Sequence, residues 1–203
     1  MSITGDDLPV QVTHIPGITR VKYTNSINQD VRLVTAGEDH LVRLLPSEPT
    51  ATDVIPLVLE DATQKISWIE ANSKYLVTAS EDGAVRLYQH ALQSEDDPQK
   101  ATSCIRMVRR EVLPVRCVSL ERATESPRAA ICSDELIIRV ANVEDPRQIT
   151  LLTGHTRGVR AASWSPILPL LVSCGSDGDI RVWDMSSTDG SCVKVISVSY
   201  THL

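Results

Sequence analysis

Apolar and polar residues alternate in short runs along most of the chain, and Gly, Asp and Pro separate these runs. In residues 154–184 the pattern predicts three strands, at 159–164, 168–172 and 180–183. The sequence Ser176-Asp177-Gly178 supplies the residues that a tight hairpin turn needs between the last two. One small twisted sheet of this kind leaves both faces bare, so it has to stack against further copies of itself.

The same pattern recurs in four segments, AGEDHLVRLL, ASEDGAVRLY, CSDELIIRVA and CGSDGDIRVW. Each segment has an arginine close to its end and a carboxylate four residues before that arginine. The pairs are Asp39 and Arg43, Asp82 and Arg86, Glu135 and Arg139, and Asp177 and Arg181. Repeats of about 40–45 residues that each contain four short strands are typical of the blades of a β-propeller.

The fourth repeat opens with Gly154-His155 and closes with Trp183-Asp184. With these residues the chain resembles the WD-repeat family, strongly in the fourth repeat and more loosely in the other three. The resemblance implies an all-β fold, a WD-repeat β-propeller. Because such propellers usually close a ring of seven blades, we expect about four blades of an incomplete ring.

The predicted organisation is a lead-in or closing strand at 1–13 and a propeller fragment at 14–197. The four repeats are expected at about 14–59, 60–102, 103–150 and 151–197, and a strand at 103–109 is expected to open the third. Residues 91–101 are polar and acidic, which predicts a loop that is either simply solvated or binds a partner. Residues 198–203, VSYTHL, match the translation of a sequencing adapter, so we expect them to be foreign to the natural protein.

His155, Ser173, Asp177 and Trp183 match the hydrogen-bonded tetrad of the WD-repeat family. In the predicted network the carboxylate accepts from the His ring, the ring donates to Ser, and Ser accepts from the indole N–H. Partial copies are expected at His14, Thr35 and Asp39, at Thr78 and Asp82, and at Glu135. A Ser-His-Asp catalytic triad uses the same residue types, but catalysis would not tolerate the loss of members between copies, so the tetrad is interpreted as structural.

Composition narrows the possible functions. The chain has a formal net charge of −6, which makes it a poor non-specific binder of nucleic acid, and its arginines at 106, 109, 110 and 116 are interpreted as a solvated strand face. The five cysteines show no CxxC pairing and are expected to be reduced, intracellular and mostly buried. The sequence predicts no metal site, no cofactor and no small-molecule substrate, and it lacks a membrane-spanning run and a signal peptide.

The order of the repeats, with an insertion after the second and a degenerate third reading AAICSDELIIRVANVEDPRQITLLTGH, is similar to one narrower family. This is the chromosome transmission fidelity / acidic nucleoplasmic DNA-binding protein family. The resemblance implies a nuclear, non-enzymatic replisome scaffold that links DNA polymerase alpha to the replicative helicase and supports sister-chromatid cohesion. Two alternatives remain open, a ubiquitin-ligase substrate receptor or other WD-repeat adaptor, and an enzyme with a propeller core. The candidate partner surfaces are loop 91–101 and the turns at 37–40, 80–83 and 175–178.

Overall fold

A computed structural model describes residues 17–24, 32–46, 57–72, 74–89, 106–122, 126–145 and 147–197. In these ranges the chain forms sixteen strands and no helix, and each group of four consecutive strands makes one antiparallel sheet. The first sheet contains β1 (Ile18–Thr24), β2 (Arg32–Gly37), β3 (Val42–Pro46) and β4 (Leu57–Leu59). The second contains β5 (Ile66–Ala71), β6 (Tyr75–Ser80), β7 (Ala84–Gln89) and β8 (Arg106–Arg110). The third contains β9 (Val115–Leu120), β10 (Arg128–Ser133), β11 (Ile137–Asn142) and β12 (Ile149–Thr153). The fourth contains β13 (Val159–Trp164), β14 (Leu170–Gly175), β15 (Asp179–Asp184) and β16 (Ser191–Ser197).

The core lies between neighbouring sheets. Val34 and Leu44 of the first sheet pack against Ile69 and Tyr88 of the second, and similar apolar layers lie between the second and third and between the third and fourth sheets. All six residues of β6 are buried because its sheet is covered on both faces. The prediction of an all-β propeller fold with about four blades is confirmed.

The fourth sheet has one covered and one open face. Burial alternates along β14, where Leu171 and Ser173 are buried while Val172 and Cys174 are exposed. Cross-strand partners of an antiparallel pair share a face, so Ile180, which is opposite Cys174, lies on the open side as well. The open face is therefore largely apolar.

The first strands of successive sheets lie against one another, β1 on β5, β5 on β9 and β9 on β13. Each of them carries a β-bulge at the same point, and the bulged residues are Thr19, Ser67, Arg116 and Arg160. A bulge changes the direction in which a side chain points. The Thr19 and Ser67 hydroxyls each donate to a carbonyl of the next sheet's first strand, and the two arginines reach charged partners.

Ion pairs at the hairpin-turn end tie each sheet to the next. Glu38 of the first sheet pairs with Lys65 at 2.9 Å, and Glu81 of the second pairs with Arg116 at 3.4 Å. Asp134 of the third pairs with Arg160 of the fourth at 3.1 Å. Each carboxylate directly precedes the turn carboxylate of its own repeat, and Ser176 has that position in the fourth. The inter-sheet ion pairs therefore start from equivalent positions in the first three repeats.

Two sequence expectations differ from the structure. The strand expected to open the third repeat at 103–109 is β8, which pairs with β7 and completes the second sheet, so the sheets do not divide at residue 102. Apolar alternation predicts a strand but not its neighbour, which is why the assignment failed. Among the four cysteines in the described ranges, Cys117 and Cys132 are buried, but Cys174 and Cys192 are exposed because they lie in the fourth sheet.

Several expectations fall outside the described residues. These are the lead-in at 1–13, the loop at 91–101, the segment 198–203, His14 and the side chains of the arginines in β8. Within the ranges that the structure describes, no helix is long and apolar enough to cross a membrane.

Candidate functional site

The structure brings His155, Ser173, Asp177 and Trp183 together between the first three strands of the fourth sheet. His155 Nδ1 lies 2.9 Å from Asp177 Oδ2, and His155 Nε2 lies 2.8 Å from Ser173 Oγ. Trp183 Nε1 donates to the same Ser173 Oγ at 2.9 Å. The His155 and Asp177 side chains are only 1% and 3% exposed, so the network lies within the protein.

The Asp177 carboxylate holds the network at the hairpin turn. Burial by itself would raise its pKa, but hydrogen bonds from the Thr156 N–H, the His155 ring and the Asp179 N–H outweigh burial and lower the pKa to about 2. An ionised carboxylate can only accept, so the His155 proton is on Nδ1. In a neutral ring Nε2 then accepts, and Ser173 donates to it. The predicted direction, in which the ring donates to Ser173 as well as to Asp177, requires an imidazole that carries a proton on both nitrogens.

Gly175 is required for this geometry, and the sequence interpretation did not single it out. A Cβ at this position would lie 2.6 Å from Asp177 Oδ1 and 2.7 Å from His155 Nδ1. Atoms this close cannot be accommodated without displacing the His–Asp bond. Gly175 thus leaves the space in which the carboxylate and the imidazole meet.

The second sheet uses a different network around Asp82. Arg86 Nη2 lies 2.7 Å from Asp82 Oδ2, and both side chains are buried. Ser80 donates to the same carboxylate, as do the N–H groups of Thr63 and Ala84. Burial raises the pKa of Asp82, but the bonds from Arg86, Ser80 and the two N–H groups outweigh it and hold the pKa well below its usual range.

The first and third sheets also pair the turn carboxylate with the arginine four residues later. Arg43 Nη1 lies 2.7 Å from Asp39 Oδ2, and Arg139 Nη1 lies 2.6 Å from Glu135 Oε2. Thr35 and Thr78 are buried opposite Arg43 and Arg86, in the register position that Ser173 has opposite Arg181. Three of the four sheets therefore replace the tetrad by a carboxylate–arginine pair.

In the fourth sheet a histidine, rather than the arginine four residues later, is the partner of the turn carboxylate. Asp177 bonds to His155, and Arg181 pairs instead with Asp179 at 3.2 Å. The Arg181 Nε atom is buried without a hydrogen-bond partner in the described part of the chain. The four-residue spacing between carboxylate and arginine was visible in the sequence, but its meaning as an ion pair was missed.

The side chains of the tetrad are poorly placed to react with a substrate. The Ser173 hydroxyl is buried and already engaged with His155 and Trp183, so it cannot act as an exposed nucleophile. In the described ranges no group of three or more His, Cys, Asp or Glu side chains is placed to hold a metal ion. The arrangement joins β13, β14 and β15 and satisfies polar groups that would otherwise be buried without partners.

Comparison with known proteins agrees with this geometry. Residues 146–184 match the family model "WD domain, G-beta repeat". The chain is 28% identical over 183 residues to WD repeat and HMG-box DNA-binding protein 1 of Xenopus laevis, which covers 90% of this chain and 14% of that protein. It is 29% identical over 138 residues to human Striatin-4, covering 63% of this chain and 18% of that protein.

A shorter match is to nuclear distribution protein nudF 1 of Talaromyces marneffei, 43% identical over 68 residues, which covers 33% of this chain and 14% of that protein. The chain therefore spans less than a fifth of the length of these relatives. Together, the repeat match, the sheets and the tetrad show a WD-repeat chain with the fold of a β-propeller of about four blades.

Proposed function

We propose that the chain is a non-enzymatic scaffold for protein–protein interaction, and that it forms the front propeller of a nuclear replisome adaptor. The observation that carries the proposal is the similarity to WD repeat and HMG-box DNA-binding protein 1 along 90% of the chain. The matches to Striatin-4 and to nudF 1 are shorter and support only the general class of WD-repeat scaffold.

The site supports a binding role over a catalytic one. The residues of the tetrad hold strands together, and three of the four repeats have exchanged it for an ion pair with the same geometric role. Such exchange is compatible with a stacked array whose stability is summed over neighbours. In this proposal the tetrad keeps the hairpin turns rigid, and the turns carry the contacts with partners.

The proposed partner surface consists of the turns at 37–40, 80–83 and 175–178. His40 and Ser176 are exposed there, and the inter-sheet ion pairs lie beside them. With a net charge of −6 the chain has little general affinity for phosphate backbones, so contact with chromatin runs through protein partners. The proposed partners are DNA polymerase alpha and the replicative helicase, and the proposed location is the nucleus.

The test is an affinity purification of the tagged chain from nuclear extract, with and without nuclease. We expect nuclease-resistant recovery of polymerase alpha and helicase subunits. Ser176→Tyr, on the turn surface, should reduce recovery several-fold, whereas Ser187→Tyr, an exposed serine at the opposite end of the fourth sheet, should leave it unchanged. Failure to recover these proteins, or recovery that is lost on nuclease treatment, would refute the replisome assignment.

A further inference from the structure

Three Asp-Gly pairs in the sequence are candidate sites for rearrangement of an aspartate. They are Asp82-Gly83, Asp177-Gly178 and Asp189-Gly190. A glycine has no Cβ, so its amide nitrogen can approach the Cγ of the preceding aspartate and close a five-membered succinimide ring. The first two pairs lie in the hairpin turns of the second and fourth sheets, and the third lies between β15 and β16. Since the three pairs are chemically identical, their surroundings decide which of them reacts.

In the first pair both reacting groups are engaged. The Asp82 carboxylate accepts bonds from the Arg86 guanidinium and from two backbone N–H groups. The Gly83 N–H donates to the Ser80 carbonyl at 3.1 Å. Ring closure requires the Asp82 carboxyl carbon to turn towards the Gly83 nitrogen, so these bonds would have to break first.

The second pair is held in the same way. Asp177 accepts bonds from the His155 ring and from two backbone N–H groups, and the Gly178 N–H donates to the Gly175 carbonyl at 3.2 Å. Burial alone would raise the pKa of Asp177, but these bonds to the carboxylate lower it to about 2. An ionised carboxyl cyclises less readily than the neutral acid, because the neutral acid can release its oxygen as water. Both turn pairs are therefore protected in the folded chain.

The third pair is in a different environment. Residues 185–190 belong to no strand, and Asp189 is exposed. In the described part of the chain no hydrogen bond or ion pair holds the Asp189 carboxylate, and the Gly190 N–H donates to no backbone carbonyl. Neither reacting group has to give up a partner before the ring closes.

We propose that Asp189-Gly190 is a site of isoaspartate formation, and that the product is a substrate for an S-adenosylmethionine-dependent carboxyl methyltransferase. The Gly190 nitrogen bonds to the Asp189 Cγ, and the amide proton and the carboxyl hydroxyl leave as water. A second water then opens the ring between the Asp189 carbonyl carbon and the Gly190 nitrogen. The chain now runs through the Asp189 Cγ, and the freed α-carboxylate accepts the methyl group from the sulfonium of S-adenosylmethionine.

Isomerisation adds one backbone atom between two fixed points of the fourth sheet. Before the site, the Thr188 carbonyl accepts a bond from the Thr150 hydroxyl of the third sheet. After it, Ser191 pairs with Asp184 at the start of β16. The longer backbone cannot keep both contacts unchanged, so the modification acts on β16. The site lies at the end of the fourth sheet opposite the proposed turn surface and does not depend on the replisome assignment.

The experiment follows isoaspartate at all three pairs in one sample. The full chain is kept folded at neutral pH and body temperature for several weeks and is then digested with trypsin. Cleavage after lysine and arginine leaves the pairs in separate peptides, 75–86, 161–181 and 182–194. Electron-transfer fragmentation distinguishes aspartate from isoaspartate. The methyltransferase with labelled S-adenosylmethionine gives an independent readout.

We expect at least about tenfold more isoaspartate at 189 than at 82 or 177, because freeing either turn carboxylate breaks charge-assisted hydrogen bonds. The labelled methyl group should appear in the peptide 182–194. In a sample unfolded with guanidinium chloride this protection is absent, so the three pairs should react within about threefold of one another. Asp189→Asn should form isoaspartate at 189 several-fold faster than the wild type, because ammonia leaves in the same ring closure more readily than water.

Four results would overturn the proposal. They are equal amounts of isoaspartate at the three pairs in the folded chain, no isoaspartate at 189, no labelled methyl group in the peptide 182–194, and a rate in Asp189→Asn no higher than in the wild type. The two turn pairs serve as matched internal controls, because they differ from Asp189-Gly190 in their hydrogen bonds and burial but not in the reacting residues.

Discussion

Replacing His155 with Ala tests whether the tetrad stabilises the fold. The substitution removes a bond to the ionised Asp177, worth about 1.5–3 kcal/mol, and a bond to Ser173, worth about 0.5–1.5 kcal/mol. It also leaves a cavity, since the His155 side chain is only 1% exposed. Asp177 keeps its bonds from the Thr156 and Asp179 N–H groups, which limits the loss. We therefore expect the free energy of unfolding to fall by about 3 kcal/mol.

Urea unfolding followed by tryptophan fluorescence measures this change. With a slope of about 1–3 kcal/mol per molar urea, the midpoint should fall by about 1–3 M. Arg157→Ala is the matched control, because Arg157 is exposed and lies in the same connection, and it should change stability by less than about 0.5 kcal/mol. A midpoint that moves no further in His155→Ala than in this control would refute the structural reading of the tetrad. So would an unchanged midpoint combined with the loss of a hydrolase activity.

Three further predictions concern the turn networks. In Asp177→Asn the stabilisation from the carboxylate, about 2 kcal/mol at neutral pH, should be absent. Because the folded pKa of about 2 is below the ordinary 3.8, this advantage of the wild type should vanish as the pH falls from about 4 to 2. Urea unfolding of both proteins at each pH checks it, and a constant difference would contradict it. Gly175→Ala should cost about 2 kcal/mol in the same assay, because its Cβ displaces the His–Asp bond, and a change below about 0.5 kcal/mol would count against the close approach. Arg86→Met should cost about 3 kcal/mol because it leaves the buried Asp82 carboxylate without its cation partner, whereas Arg181→Met, at the same register position, should cost less than about 1 kcal/mol. Equal losses of stability in the two arginine variants would show that the Arg86–Asp82 ion pair contributes no more than the contacts of Arg181.

The sequence predicted the repeat architecture well because each repeat carries its own turn and strand signals. Asp177 and Gly178 are a turn sequence, and the alternation around them gives strands without knowledge of the remaining chain. The members of the tetrad could be named because Gly154-His155 and Trp183-Asp184 mark its two ends. These signals are local, so they can be recognised in one segment without knowledge of the rest of the chain.

Features that depend on neighbours could not be predicted in this way. The sheet to which β8 belongs is decided by its pairing with β7, and alternation within β8 does not encode that partner. The exposure of Cys174 follows from the open face of the fourth sheet, and the role of Gly175 from a clearance of less than 3 Å. The Trp68 Nε1 atom is buried without a hydrogen-bond partner in the described part of the chain. This follows from how the sheets pack, which no sequence pattern predicts.

The charged ties between sheets have a consequence for the exchange of repeats, in evolution or by design. Each of these ion pairs needs a carboxylate in one repeat and a lysine or arginine in the following one, as with Glu81 and Arg116. The fourth repeat has Ser176 at the carboxylate position, so a copy of it inserted in place of the second repeat would leave Arg116 without the Glu81 carboxylate. The four repeats share a fold, but their order matters because each must supply the charge that its neighbour needs. Duplication or shuffling of single repeats should therefore require compensating changes across each new junction.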